Sequence, residues 1–86
     1  MYFPTSLGGR YVDQYVGNIA NESKVGYQSL TPGIQLQIAK DAELVQTRKV
    51  DGATWHFFTS PVTELGGPSQ PLLNALQQAG IKVVIH

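Results

Sequence analysis

Cysteine is absent from the 86 residues, so neither a disulfide nor a thiolate metal site is available, and oxygen and imidazole are the good metal ligands that remain. Any ion held here is expected to be hard. Charge is scarce and balanced. Six Lys plus Arg offset six Asp plus Glu, and the basic excess that marks most nucleic-acid binders is missing from the total, although a local positive stripe is compatible with it. No run of about 18 apolar residues is present to span a bilayer, and the opening MYFPTS has neither the charged nor the apolar region of a signal peptide, so no membrane partner is expected. One Trp, three Phe and four Tyr within a hydrophobic content of 42% supply one modest core, and a single domain over residues 1–86 is expected.

What is present has clear periodicity. Residues Arg10 to Val16, RYVDQYV, are rich in β-formers, and Ile19 to Val25, IANESKV, continue the sheet after Gly17-Asn18, which indicates a two-residue hairpin. Met1 to Gly9 is open between a ragged start and a short edge strand. Thr31 offers an N-cap with Pro32 at the first helical position, and Ile34, Ile38, Ala42 and Val45 form the apolar stripe of a helix that Arg48 and Lys49 close at the dipole end favouring cations. After Asp51-Gly52, the run ATWHFFTS reads as a central strand ended by Pro61, buried on both faces between two crossover helices. A loop, PVTELGGPSQ, leads to a second helix capped by Ser69, with Pro71 in its first turn, Leu72, Leu73, Leu76 and Ala79 inward, and Gly80 at its end. IKVVIH is the last strand. The fold class expected is mixed α/β, an antiparallel hairpin followed by β-α-β-α-β crossovers with parallel strands.

Counting outward from the Gly17-Asn18 loop pairs Val16 with Ile19, sets Asp13 opposite Glu22 and sets Tyr11 opposite Lys24. Opposed residues of an antiparallel pair have Cβ atoms roughly 4.5–5.5 Å apart, so two carboxylates would stand side by side and repel. A shared divalent cation relieves that repulsion. Lys24 projects from the same face as Glu22, where it can orient a water or stabilise charge on a reacting phosphate, and Ser23 between them can lend its carbonyl oxygen. The ordinary alternative is a solvated hairpin face on which Arg10 and Lys24 pair off the acids.

An acid on one strand followed by an acid-x-lysine triplet on the next, here Asp13 and Glu22-Ser23-Lys24, resembles the PD-(D/E)XK nucleases over roughly residues 10–60. The wider string, GRYVDQYVGNIANESKVG with QIAKDAEL, WHFFTSPVTELGGPSQPLL and GIKVVIH, looks like the restriction-endonuclease-fold toxin domains at the C-termini of bacterial polymorphic toxins, including contact-dependent inhibition effectors. The resemblance implies Mg²⁺ or Mn²⁺ held by Asp13, Glu22 and Ser23, with Asp13, Glu22, Lys24 and Gln37 as catalytic residues. It also implies hydrolysis of DNA or RNA, an immunity protein as partner, and delivery by a larger secreted effector into the target-cell cytoplasm. Two features depart from that pattern. Asp13 follows Val12 where the motif has proline, and the leading helix of the family core has no counterpart before Arg10.

Other residues have competing readings. Gln37 and Asp41 fall on or beside the apolar stripe of the first helix and need partners, Gln37 at the metal site or substrate backbone, or both as caps of neighbouring loops. His56 suits an acid, a base or a ligand, though a satisfied core histidine is the commoner case, and His86 is expected to be incidental. Gly66-Gly67-Pro68-Ser69 before a helix suits a phosphate, and more often only a turn and cap. Trp55, Phe57 and Phe58 are expected in the core rather than stacked on bases. A non-catalytic nuclease-fold remnant that binds a protein, and an unrelated phosphate-binding domain centred on those glycines, are the rival functions.

Overall fold

The computed structural model of the chain describes residues 1–62 and 65–86, so Thr63 and Glu64 of the expected loop lie outside the described residues. The opening segment is a strand. Tyr2–Thr5 (β1) pairs antiparallel with Gly8–Tyr11 (β2), and the Thr5 hydroxyl spans the turn, accepting from Leu7 N–H at 3.1 Å and donating to the Gly8 carbonyl.

Gln14–Val16 (β3) and Ile19–Val25 (β4) form the second hairpin, with Val16 opposite Ile19 as the sequence indicates. Gly17 and Asn18 have φ of 58° and 63°, the left-handed pair that a two-residue type I′ loop requires. The strand expected over residues 10–16 is nevertheless broken. Val12 N–H donates to the Met1 carbonyl at 2.8 Å and the Met1 ammonium donates to the Val12 carbonyl at 2.9 Å, so both backbone groups of Val12 are taken up and the β3–β4 ladder stops at Gln14 opposite Asn21. Asp13 is therefore not a rung opposite Glu22. Tyr11 pairs with Tyr2, not Lys24, and their rings meet edge-on at 4.9 Å.

Pro32–Gln46 (α1) starts where expected, with Thr31 Oγ1 accepting from Ile34 N–H at 3.2 Å. Its buried residues are Ile38, Asp41 and Leu44, flanked by partly buried Ile34 and Val45. Arg48 and Lys49 do not close the last turn. The Thr47 hydroxyl turns back on the Glu43 carbonyl at 2.8 Å and Arg48 adopts a φ of 59°, so both basic residues lie beyond the helix. Lys49 instead reaches the Pro4 carbonyl at 3.0 Å. Lys40 does the same for Gly9 at 2.9 Å, and Ser6 donates its N–H at 2.7 Å and its hydroxyl to the Glu43 carboxylate, so α1 holds the first hairpin along its length. Those Ser6 hydrogen bonds hold Glu43 below its ordinary pKa.

Gly52–Phe58 (β5), Gln70–Gln78 (α2) and Lys82–Ile85 (β6) complete the chain, and the main sheet has the order β3-β4-β5-β6 with β4, β5 and β6 parallel. Both crossovers step in the same direction, so connections of one hand put both helices on one face, where α1 touches α2. This corrects the expectation that β5 is buried on both sides. Ala53, Trp55 and Phe57 are buried against the helices, whereas Thr54 and His56 are half-buried and Phe58 is 36% exposed on the open face. Trp55, Phe57, Leu44, Leu72 and Leu76 are the largest fully buried side chains, each contributing about 1.5–3 kcal/mol by removal from water.

The glycine-rich loop before α2 is occupied by backbone pairing. Gln28 N–H donates to Gly67 at 3.0 Å, Ser69 N–H donates to Gln28 at 2.7 Å, and Ser69 Oγ accepts from Leu72 N–H at 3.3 Å as the cap. A Cβ at Gly66 would stand 2.6 Å from the Thr59 Cα, while one at Gly33 in α1 would meet nothing within 4 Å. Gly66→Ala is therefore expected to destabilise the chain by about 1–3 kcal/mol and Gly33→Ala to stabilise it by about 0.5 kcal/mol, read from urea midpoints.

Candidate functional site

Alternation along β4 decides which side chains meet. Ala20, Glu22 and Lys24 point beneath α1, and Asn21, Ser23 and Val25 point to the open face. Glu22 is thus buried, 6% exposed, beneath the helix that carries Gln37, Lys40 and Asp41 at helical spacing. Arg10 enters from β2, also 6% exposed. Its Nε donates to Asp41 Oδ1 at 2.8 Å, its Nη2 lies 3.4 Å from Asp41 Oδ2 and 3.2 Å from Glu22 Oε2, and its Nη1 donates to the Tyr11 carbonyl at 2.7 Å. Asp41 Oδ2 also accepts from the Trp55 indole at 2.8 Å. Burial works to lower the Arg10 pKa, yet Asp41 and Glu22 raise it on balance, so this cation is permanent.

Lys24 Nζ lies 3.2 Å from Glu22 Oε2, donates to Gln37 Oε1 at 2.8 Å and sits 5.3 Å over the Trp55 ring. Three contacts therefore fix the ammonium beside the Glu22 carboxylate. Gln37 acts by holding Lys24. Among the described residues no buried side-chain nitrogen or oxygen is left without a hydrogen-bond partner.

Asp13 reaches the site by a route that strand pairing did not indicate. Because Val12 has left the ladder, Asp13 Oδ2 accepts the Ser23 N–H at 2.9 Å in place of a backbone carbonyl. N–H and C=O of one extended residue point to the same strand edge, so the Ser23 carbonyl faces the Asp13 side as well. The Ser23 contact brings the Asp13 carboxyl beside that of Glu22, and both line the same cleft. Burial, then the interaction with Asp13, pushes Glu22 above its ordinary value, while that same interaction, with help from Ser23 N–H, Arg10 and Lys24, holds Asp13 below its own. The two pKa values are thus pushed apart, Glu22 upward and Asp13 downward, as expected of adjacent carboxyls. That cleft, of about 330 Å³, is lined by Gly9, Arg10, Tyr11, Asp13, Glu22, Gln37 and Lys40.

No protein-family model, curated protein or solved structure matches the chain. The site therefore has to be read from its own chemistry. Two neighbouring carboxyl groups beside a carbonyl edge fit a hard divalent cation, since oxygen donors and relief of like-charge repulsion are what such an ion needs and gives. Among the described residues no group of three or more His, Cys, Asp or Glu side chains is arranged around one ion position, so the pair and the Ser23 carbonyl are the protein donors on offer.

The sequence reading brought Asp13, Glu22, Ser23, Lys24 and Gln37 to one place, and they are together. It gave Arg10 only the role of a surface partner and missed Lys40. The i, i+3, i+4 spacing of Gln37, Lys40 and Asp41 was the signal for a polar helix face. His56 is neither in the core nor near this site, and His86 is not incidental, because the two rings meet on the open face.

Two variants separate support from chemistry. Asp41→Ala strands the Arg10 guanidinium and the Trp55 N–H and is expected to lower stability by about 3–5 kcal/mol. Glu22 behaves differently. Its raised pKa means that its protonated form contributes stability that is complete below 4.5 and lost as pH rises through the folded value, whereas the contribution of Asp13 is present above 3.8 and lost as pH falls through its lowered value. Glu22→Gln is thus expected to be at least as stable as the parent at neutral pH, measured by urea unfolding of both variants.

Proposed function

We propose that the chain is a metal-dependent nuclease domain that hydrolyses phosphodiester bonds of DNA or RNA, with a restriction-endonuclease-like core that begins at the second hairpin. The single observation that carries this reading is that Asp13 and Glu22 line one open cleft, with an immobilised ammonium, Lys24, beside Glu22. Arg10 and Lys24 account for Glu22 being buried, but a second acid set beside it adds repulsion that a cation would relieve, and this supports a ligand at the pair.

Asp13, Glu22 and the Ser23 carbonyl would hold Mg²⁺ or Mn²⁺, and the chemistry such an ion supplies is polarisation of a phosphate oxygen and acidification of water. The rest belongs to this chain. Lys24, fixed by Gln37 and Glu22, presents a charge that orients the attacking water or stabilises negative charge developing on phosphorus oxygens. Arg10 holds the same Glu22 oxygen, Oε2, at 3.2 Å and so anchors the carboxylate together with Lys24. Lys40, tied to the Gly9 carbonyl at the rim, adds positive potential where an anionic backbone would approach. Delivery as the tip of a larger effector, action in the target-cell cytoplasm and neutralisation by an immunity protein belong to the same proposal and come from the resemblance in the β-hairpin motif.

One observation favours a second reading. Glu22 Oε2 is held by both Arg10 and Lys24, as in a structural ion-pair cluster, which suits a nuclease-fold remnant that binds a protein partner without catalysis. Calorimetry separates the two. The nuclease reading expects Mn²⁺ binding that disappears in Asp13→Asn and Glu22→Gln, weakens as pH falls through the raised Glu22 pKa and releases a proton in that range. It further expects Glu22→Gln and Lys24→Ala to abolish cleavage of single- and double-stranded substrates while the circular dichroism spectrum stays the same. Unchanged cleavage in either variant, or ion binding indifferent to both acids, sinks it.

A further inference from the structure

Parallel strands are usually covered on both faces, yet β4, β5 and β6 carry their helices on one face and leave the other bare. By alternation the bare face presents Asn21 and Ser23 from β4, His56 and Phe58 from β5 and Lys82 from β6, with His86 just beyond. Glu22, the acid in these three strands, lies on the helix side, so the charged or titratable groups of the bare face are Lys82, His56 and His86. An anionic partner meets no carboxylate from these strands there.

The rings on this face are held as one unit. Asn21 Nδ2 donates to the Ile19 carbonyl at 3.0 Å, which turns its Oδ1 to His56 Nε2, 3.0 Å away. His56 therefore donates to Asn21 and accepts the His86 Nε2 proton on its Nδ1, at 3.0 Å. His86 is fixed twice more. Its backbone N–H donates to the Phe57 carbonyl at 2.9 Å, and its ring lies on Phe58 with centroids 4.3 Å apart and planes 5° apart. Phe58 covers one face of the exposed imidazole, and among the described residues no ring covers the other. A ring already ordered by three contacts and backed by a second ring can take a third planar group at little further cost in freedom. Single-stranded nucleic acid offers such groups on an anionic backbone, whereas in a duplex the bases are stacked on one another.

We propose that the bare face of β4, β5 and β6 binds single-stranded nucleic acid, with one base continuing the Phe58–His86 stack and Lys82 supplying charge to the backbone. Lys82 is the one permanent cation of these strands on this face, so stacking carries the affinity and the salt dependence is shallow. The way from here to the carboxylates runs past Ser23, which stands beside His56 in the β4–β5 register and gives its N–H to Asp13. That the bound strand is also the substrate rests on the nuclease reading; the binding itself does not.

The test is fluorescence anisotropy of labelled oligo-dT and oligo-U of about 15 nucleotides with the full chain in EDTA, set against an oligo-dT·oligo-dA duplex of the same length. At least one of the single strands is expected to bind, the duplex to bind about tenfold more weakly or worse, and the salt slope to be about one. His86→Ala is expected to raise the Kd about fivefold or more, and His86→Phe to stay within about twofold of the parent, because a phenyl ring stacks where a methyl group cannot. His86 lies past the last strand and its backbone keeps the hydrogen bond to Phe57, so these variants report on binding and not on folding. Parental Kd in His86→Ala, a duplex bound as tightly as the single strands, no binding at all, or a dimer in sedimentation that His86→Ala separates overturns the proposal. Strand binding without cleavage under Mn²⁺ removes the nuclease reading and leaves this surface. Cleavage together with parental binding in His86→Ala removes this surface and leaves that reading.

Discussion

A guanidinium removed from water must be surrounded by acceptors, and Arg10 meets that demand by drawing three elements together. Asp41 from α1, Glu22 from β4 and the Tyr11 carbonyl from β2 each accept from it. The first hairpin, the helix and the main sheet are thereby locked at one point, and Trp55 adds the centre of the core by donating to the same Asp41. Losing Asp41 would strand the Arg10 guanidinium and the Trp55 N–H together, which makes this cluster a constraint on geometry more than a source of net stability.

Much of the fold was legible because local rules agreed with tertiary ones. Thr31-Pro32 and Ser69 with Pro71 announced both helix starts, Gly17-Asn18 announced the turn, and the β-rich run around Trp55 announced the central strand. The failures share a cause. Val12 looks like any β-branched strand residue, and nothing local reveals that Met1 would claim both of its backbone groups. In the same way, an apolar run is ambiguous between two-sided and one-sided burial until the direction of successive crossovers is known. Leu44 was left out of the helix stripe for a related reason. The packed face is centred on Asp41, and a polar residue at that centre distorts any pattern drawn from hydrophobicity alone.

The candidate site was legible in membership and not in mechanism of assembly. Register arithmetic predicted that Asp13 and Glu22 would meet as rungs of a ladder. They meet because the ladder fails at Val12 and the Asp13 side chain takes up the Ser23 N–H that the strand would have used. The same break explains how Arg10 escapes the hairpin face and turns inward, since β2 belongs to a different sheet from β3. A motif read as three residues on two strands is in the folded chain a junction of β2, β4, β5 and α1 with the segment that carries Asp13.

The one-sided sheet has a further consequence. Along β4, Glu22 and Lys24 face the helix and the cleft beside it, while Asn21 and Ser23 face the open side of the sheet, yet the four are consecutive in the chain. Two neighbourhoods on opposite faces share a backbone and almost no side-chain contact. What joins them is the backbone itself, since the Ser23 N–H serves the carboxylate site while its side chain belongs to the other face.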